Sequence, residues 1–203
     1  MKPETLSPDR AREIQSAIRS KYRTVAHWPE GHFPYPVGIE SAIRLRYDPG
    51  WFHSLPSQIV TRFVGVGNPF SIHMPQAGDR ILDVGCGCGF DTFVAASLAG
   101  VQGRVAGVDI SREMLLWPRE AARASGNLNV EFLQGSAQSL PFKSETHDLV
   151  ISNGALNLVL EKPAAFGEIY RILRPGGIFA AADLLVIETI PPETLQTADA
   201  WST

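Results

Sequence analysis

The sequence predicts an α/β fold, in which helices pack on both faces of a doubly wound parallel sheet. The first observation is that short apolar β-forming runs alternate with amphipathic helical patterns between residues 81 and 182. Such alternation produces βα units, whose strands lie parallel. The second observation is that Gly85, Gly87 and Gly89 follow the first apolar run at every second position. Glycine tolerates positive φ and leaves the backbone open, so this turn between a strand and a helix predicts a ligand site.

The chain before this turn predicts helices and one irregular segment. Ser7 and Pro8 mark the start of a helix that should lie on the domain. Its apolar face consists of Ala11, Ile14, Ala17, Ile18 and Tyr22. Residues 27–38 contain three prolines and three aromatic residues, which favours an extended segment. This segment is either part of a substrate lid or a surface loop that covers the sheet edge. Short helices are expected at 39–46 and 56–63.

The chain from the turn onward predicts the sheet. The first strand ends at the glycine turn, and a helix follows at 90–98 with Gly100 as its stop. Later strands are expected at 104–109, 129–133, 148–152 and 178–182, and later helices at 111–124 and 163–173. Pro118 falls inside the helix at 111–124, where proline removes a hydrogen bond and kinks the chain, at a cost of about 3 kcal/mol unless the surroundings absorb it.

The spacing of the glycines and two carboxylates indicate the kind of ligand. A dinucleotide fingerprint counted from Gly85 needs glycine where this chain has Phe90, which argues against an NAD-dependent oxidoreductase. Asp83, just before the turn, suits an ammonium or a sulfonium better than a phosphate. Asp109 ends the second apolar run near the offset of a ribose-binding acid. The helix start after the turn should add unpaired N–H donors. An adenosine with a cationic amino-acid tail fits both acids.

At this point the chain resembles the class I S-adenosylmethionine-dependent methyltransferases, from about residue 78 to residue 185. The motifs that carry the resemblance lie at 83–89, 108–114, 129–137, 140–142, 147–153 and 171–177. The resemblance implies a Rossmann-like sheet, the cofactor S-adenosyl-L-methionine, and a small-molecule methyl acceptor. It divides the chain into an N-terminal helical and lid segment, 1–70, and a cofactor-binding methyltransferase domain, 71–203.

The resemblance also implies site residues. The methionine end of the cofactor would meet Asp83, Gly85, Cys86, Gly87 and Gly89. The ribose and adenine would meet Asp109, Ile110, Met114, Ser136 and Ala137, with Ser136 at a position that is usually acidic in the family. Asn153 belongs with the cofactor site, and Tyr22 and Asn157 would border the methyl group on the substrate side. No catalytic residue is predicted, because an activated methyl group mainly needs alignment with its acceptor.

Within the superfamily, the chain is most similar to the arsenite methyltransferase group. That group places thiols at the positions of Val66 and Gly154, which carry none here. Trivalent arsenic is thiophilic, so the resemblance supports the fold more than the substrate. The two cysteines, Cys86 and Cys88, share one glycine turn and are too few for a zinc site. No metal is therefore predicted.

Composition limits the remaining possibilities. The net charge of −3 gives no basic footprint for nucleic acid, and 44% hydrophobic residues in 203 suffice for one globular core. No apolar stretch reaches the ~18 residues of a membrane span, and the N-terminus lacks a signal peptide. Cytoplasmic residence is expected, with no membrane partner.

The end of the chain raises a second hypothesis. Sheets of this family continue past the fifth strand, whereas this sequence stops at Thr203, which predicts that the C-terminal strands are missing. An open strand edge exposes unpaired backbone groups, so the chain is either a fragment or a homo-oligomer through that edge. The alternative to a methyltransferase is a non-catalytic S-adenosylmethionine-binding protein or an inactive truncated enzyme.

Overall fold

Five parallel strands form one sheet in the part of the chain that the computed structural model describes, residues 7–126 and 129–185. The strands are β1 Arg80–Val84, β2 Arg104–Asp109, β3 Val130–Gln134, β4 His147–Asn153 and β5 Leu173–Ala182. Their order is β3-β2-β1-β4-β5, and every neighbouring pair is parallel. This confirms the predicted doubly wound, Rossmann-like fold. The order reverses between β1 and β4, which is where such sheets bind ligands at their carboxyl ends.

Seven α-helices surround the sheet within the described residues. They are α1 Pro8–Val25, α2 Gly38–Arg44, α3 Pro49–Phe52, α4 Ser57–Val60, α5 Phe90–Ala99, α6 Leu116–Ser125 and α7 Lys162–Ile172. Single 3-10 turns lie at Pro69–Ser71 and Leu156–Leu158. The predicted helices at 39–46 and 56–63 are thus present but shorter, and α3 was not predicted. No helix of the described part is long and apolar enough to cross a membrane.

The core lies on both faces of the sheet. One face packs against α7, where Ala165, Ile169 and Ile172 are buried. The other face packs against α5 and against aromatic residues from the segment before β1. There, the ring centroids of Phe63 and Phe90 are 4.3 Å apart. The core therefore crosses residue 70, and the division of the chain at that residue stays a prediction.

The helix predicted at 111–124 begins five residues later than expected, at Leu116. Ser111 causes the delay, because its N–H donates to Asp109 and its hydroxyl accepts from the N–H of Met114. These bonds fix a turn before α6. Pro118 is consequently the third residue of the helix, where the N–H has no intrahelical acceptor in any case. The predicted kink and its cost of about 3 kcal/mol are therefore wrong.

β5 also differs from its prediction, because it begins at Leu173 rather than at residue 178. Its pairing with β4 shifts register between His147 and Leu149, where Leu173 pairs with the first and Ile178 with the second. Four residues of β5 thus bulge opposite a single residue of β4. Proline and glycine disfavour a strand interior, so the prediction started the strand after Pro175 and the two glycines that follow it. It therefore missed the pairing of Leu173, which lies before them.

The aromatic segment after α1 contains neither helix nor strand, as predicted. Two of its three aromatic rings pack together beside α1. The ring of Phe33 lies 6.5 Å from that of Tyr22 and 5.2 Å from that of Tyr35. The Lys21 ammonium sits 5.0 Å from the centroid of Phe33. The segment is therefore joined to the helix that covers the carboxyl end of the sheet.

Candidate functional site

A cavity opens at the carboxyl ends of β1, β2 and β4 and encloses about 980 Å³ of empty space, its open mouth included. Nine of the residues predicted for the site line it. They are Tyr22, Gly85, Gly87, Asp109, Ile110, Met114, Ser136, Ala137 and Asn153. Asp83, Cys86, Gly89 and Asn157 do not line it. The structure thus brings most of the predicted residues together around one volume.

The glycine turn after β1 forms the floor of the cavity. Gly85 has φ 75°, and a Cβ at this position would lie only 2.1 Å from the Cβ of Ala155. Gly87 has φ 53°, and its Cβ would lie 3.1 Å from the Met114 methyl group. Both positions thus need glycine for conformation and for room. A ligand here meets bare backbone.

The N–H groups of this turn point into the protein. Those of Gly85 and Cys86 donate to the carbonyl oxygen of Val108 at 2.8 and 3.0 Å. That of Gly87 donates to the Asp109 carboxylate at 2.8 Å, and that of Gly89 to the carbonyl of Cys86. These four N–H groups of the turn are therefore not free for a ligand, whereas the unpaired donors expected at the helix start stay a prediction. A cationic group such as an ammonium can still be held by carbonyl oxygens.

Asp83 stands behind the turn rather than in the cavity. It is buried, and its carboxylate accepts from the Thr92 hydroxyl at 2.6 Å. Burial and the nearby charge of Asp91 raise its pKa well above the usual range. Both acids lie beside the first turn of α5, the place where a phosphate would otherwise bind. The geometry thus disfavours a dinucleotide and assigns Asp83 a supporting position.

Asp109 sits at the end of β2 with its carboxylate fixed in place. One oxygen accepts from Gly87 N–H and the other from Ser111 N–H, each at 2.8 Å. Burial raises its pKa, and these two hydrogen bonds oppose the shift. Each carboxylate oxygen has a further lone pair for a hydroxyl donor. The side chain is therefore oriented for a diol before any ligand arrives.

Asn153, at the end of β4, links the loop before β1 to the sheet through hydrogen bonds. Its amide oxygen accepts from Val66 N–H at 2.9 Å and from Gly67 N–H at 3.1 Å. Its nitrogen donates to the Gly67 carbonyl at 2.8 Å and to Asp91 at 2.9 Å. The hydroxyl of Tyr47 donates to the same Asp91 at 2.6 Å. Asn153 thus lines the cavity while its polar atoms are used within the protein.

The two cysteines are closed off from the cavity. Cys86 and Cys88 are both buried and free. The thiol of Cys88 lies 3.3 Å from the Arg62 carbonyl oxygen, which accepts its hydrogen. Burial raises the pKa of Cys86, and it raises that of Cys88 to about 12. Both are therefore thiols at neutral pH in the free protein, and neither lines the cavity.

Helix α1 forms the roof of the cavity, and the sequence predicted only part of this wall. Gln15, Ile18, Arg19 and Tyr22 project into the cavity from successive turns. Burial, with the charges of Tyr35, Asp109 and Asp183, raises the pKa of the Tyr22 phenol above its usual value. It therefore stays protonated. The helical spacing of Ile18 and Tyr22 predicted the buried face but not the polar residues beside it.

The remaining lining residues that were not predicted are mostly aliphatic. They are Val64, Val84, Val108, Gly135, Gln138, Gly154, Ala155, Leu156, Leu158, Val159 and Leu160. Most follow β4 or come from the loop before β1, so they meet only in the folded chain. The positions of Val66 and Gly154 are adjacent, since a Cβ at Gly154 would lie 3.2 Å from a methyl of Val66. This end of the cavity is apolar and contains no thiol among the described residues.

Comparison with known proteins places this geometry in a family. A family model described as a methyltransferase domain matches residues 75–202. An arsenite methyltransferase from Halobacterium salinarum is 42% identical over 134 residues, which cover 66% of this chain and 34% of that protein. A demethylmenaquinone methyltransferase from Symbiobacterium thermophilum is 44% identical over 105 residues, 51% of this chain and 42% of that protein.

A solved structure agrees with these relatives. An arsenic (III) S-adenosylmethionine methyltransferase from Chlamydomonas reinhardtii superposes with a TM-score of 0.66 and 33% identity. The match covers 79% of this chain and 53% of the algal protein. The chain thus spans about half or less of these three relatives. It belongs to the methyltransferase domain family, as the resemblance in its sequence predicted.

Proposed function

We propose that this chain binds S-adenosyl-L-methionine and transfers its methyl group to a small apolar acceptor. The observation that carries the proposal is a single cavity with two different ends. One end has the glycine turn and the oriented Asp109 carboxylate. The other has the aliphatic residues that follow β4. A ligand with a polar adenosine and an acceptor with an apolar body could lie in it side by side.

The residues present fit this cofactor. Asp109 would accept hydrogen bonds from the two ribose hydroxyls, which are paired donors on a rigid ring. Carbonyl oxygens of the turn at Gly85 and Gly87 would face the ammonium group. Ser136 and Gln138 line the adenine side, where the Ser136 hydroxyl already accepts from the Gln138 N–H at 3.2 Å. The amide of Gln138 could supply the acceptor that an acidic residue at position 136 supplies in other members.

The cofactor supplies an activated methyl group, and the chain aligns the acceptor with it and excludes water from the site. Ile18 and Tyr22 on α1 cover the cavity from above and exclude water. Because Tyr22 keeps its proton, it can donate a hydrogen bond to the acceptor but cannot remove a proton from it. An acceptor atom that is already nucleophilic is therefore favoured.

The apolar end of the cavity suggests the acceptor class. Val64, Leu158 and Leu160 offer dispersion contacts rather than hydrogen bonds. Such a surface suits a flat or aliphatic organic molecule, as in the demethylmenaquinone methyltransferases among the relatives. It does not suit arsenite, because Val66 and Gly154 bring no sulfur to the site.

Radiolabelled S-adenosylmethionine tests the proposal with a panel of acceptors that includes quinols, phenols and arsenite. We expect label in at least one apolar organic product and none in methylarsenicals. Gly87→Arg, which fills the turn, should abolish transfer, and Gly167→Arg should retain it because that glycine on α7 has no atom within 4 Å of its Cβ direction. Binding without transfer to any acceptor would favour the non-catalytic alternative. Methylarsenicals from the wild type but not from Gly87→Arg would restore arsenite as substrate.

A further inference from the structure

Basic side chains are rare in the wall of the cavity. Among the described residues that line it, Arg19 on α1 is the single lysine or arginine. The cofactor, in contrast, carries an anionic group, the carboxylate of its methionine tail. That carboxylate needs hydrogen-bond donors or a cation in any site that excludes water.

Four backbone donors of the glycine turn are already in use. The N–H groups of Gly85, Cys86, Gly87 and Gly89 all bond within the protein. The first turn of α5 faces the Asp83 and Asp91 carboxylates. An anion placed there would meet two carboxylates. This arrangement favours a partner for the cofactor carboxylate on another wall of the cavity.

Arg19 is also set apart from the other arginines of α1. Arg10 pairs with Glu13, Arg12 with Asp9, and Arg23 with Glu113 at 3.4 Å. Arg19 makes no hydrogen bond or ion pair to any residue in 7–126 or 129–185. Gln15, one turn earlier, lines the same cavity and could add an amide donor.

Resting on the proposed function, we propose that Arg19 binds the carboxylate of the methionine tail and thereby holds α1 over the occupied site. The guanidinium can donate two parallel hydrogen bonds to a carboxylate, a geometry that fixes orientation as well as charge. Because Arg19 belongs to the roof and Asp109 to the floor, a bound cofactor joins the two. The cofactor itself then becomes part of the closure of the site.

The test compares S-adenosylmethionine with decarboxylated S-adenosylmethionine, which lacks only the carboxylate. Calorimetric titration of the full chain needs no acceptor, so its result is independent of which molecule is methylated. We expect the wild type to bind the complete cofactor about tenfold more tightly than the decarboxylated one. Arg19→Met, which keeps the aliphatic stem, should weaken the complete cofactor about tenfold and change the decarboxylated one less than twofold.

Two further variants make the result specific. Arg12→Met removes a positive charge from the same helix but away from the cavity, and it should preserve the discrimination. Arg19→Lys keeps the positive charge but lacks the paired donors of the guanidinium, so it should retain part of the discrimination between the two ligands. Equal weakening of both ligands by Arg19→Met would overturn the proposal, as would unchanged affinity for both. Absence of binding by the wild type would instead contradict the cofactor assignment.

Discussion

The Asp109 carboxylate is held at both oxygens by backbone N–H groups, so its removal can be interpreted at a single site. Asp109→Ala should weaken binding of S-adenosylhomocysteine by about 1 to 3 kcal/mol, because charge-assisted hydrogen bonds to the ribose are lost and the Gly87 N–H loses its acceptor. Isothermal titration calorimetry measures this change. Nicotinamide dinucleotides should produce no heat with the wild type.

A matched control for Asp109 is Asp79→Ala, in the turn before β1, at the end of the strands opposite to the cavity. Asp79 also accepts a backbone N–H, that of Gln76 at 2.8 Å, but it does not line the cavity. Its loss should leave affinity unchanged. If Asp109→Ala bound as tightly as Asp79→Ala, the ribose would have to lie elsewhere in the cavity.

Two elements, β4 and the loop before β1, depend on one another through Asn153. Asn153→Ala would leave Val66 N–H and Gly67 N–H without their acceptor and remove a donor from the buried Asp91. We expect the free energy of unfolding to fall by about 3 kcal/mol, since buried unpaired polar groups are costly. Urea denaturation measures it. Gln134→Ala, at an exposed position, is the control, and a loss as small as that of the control would show that the loop is held by other contacts.

The same elements show what sequence could and could not reveal. β2 was predicted residue for residue, because its apolar run follows Gly103 and Arg104 and ends at Asp109. The start of α6 was missed, since the Ser111 side chain stabilises a turn that a helical pattern does not disclose. Motifs along one strand and turn were recognisable. Val64, Arg19 and Leu160 were not, because they come from three distant segments that meet only after folding.

At the scale of the whole molecule, association through the sheet edge stays a prediction. β5 is an outer strand of the described sheet, and Tyr170 and Phe166 of the neighbouring α7 are exposed. An outer strand beside exposed aromatic side chains favours pairing with a second copy. Sedimentation equilibrium should reveal a dimer, and Tyr170→Lys should shift it toward monomer. A wild-type monomer at high concentration would contradict self-association.

The free energy of unfolding should depend on pH through a histidine whose pKa is lowered in the folded chain and through buried acids whose pKa values are raised. Burial, with the charge of Arg80, lowers the pKa of His147 to about 4, while Asp148 opposes the shift. Burial raises the pKa of Asp91 to about 6 and also raises those of Asp83 and Asp109. As pH falls from 6.5 towards 4, His147 therefore costs stability, because the unfolded chain takes up its proton first. The buried acids gain stability over the same range, because they bind protons more readily when folded.

Replacement of the histidine separates the two effects. His147→Gln removes the acid-sensitive group, so the free energy of unfolding of the variant should rise relative to that of the wild type between pH 6.5 and pH 4. We expect a relative change of about 2 kcal/mol, less than the full pKa shift implies because the ring borders a cavity open to solvent. Urea denaturation across this range measures it, with the exposed His53→Gln as the control whose curve should run parallel to the wild type. A curve for His147→Gln that also ran parallel would show that His147 takes up its proton as easily in the folded chain as in the unfolded one.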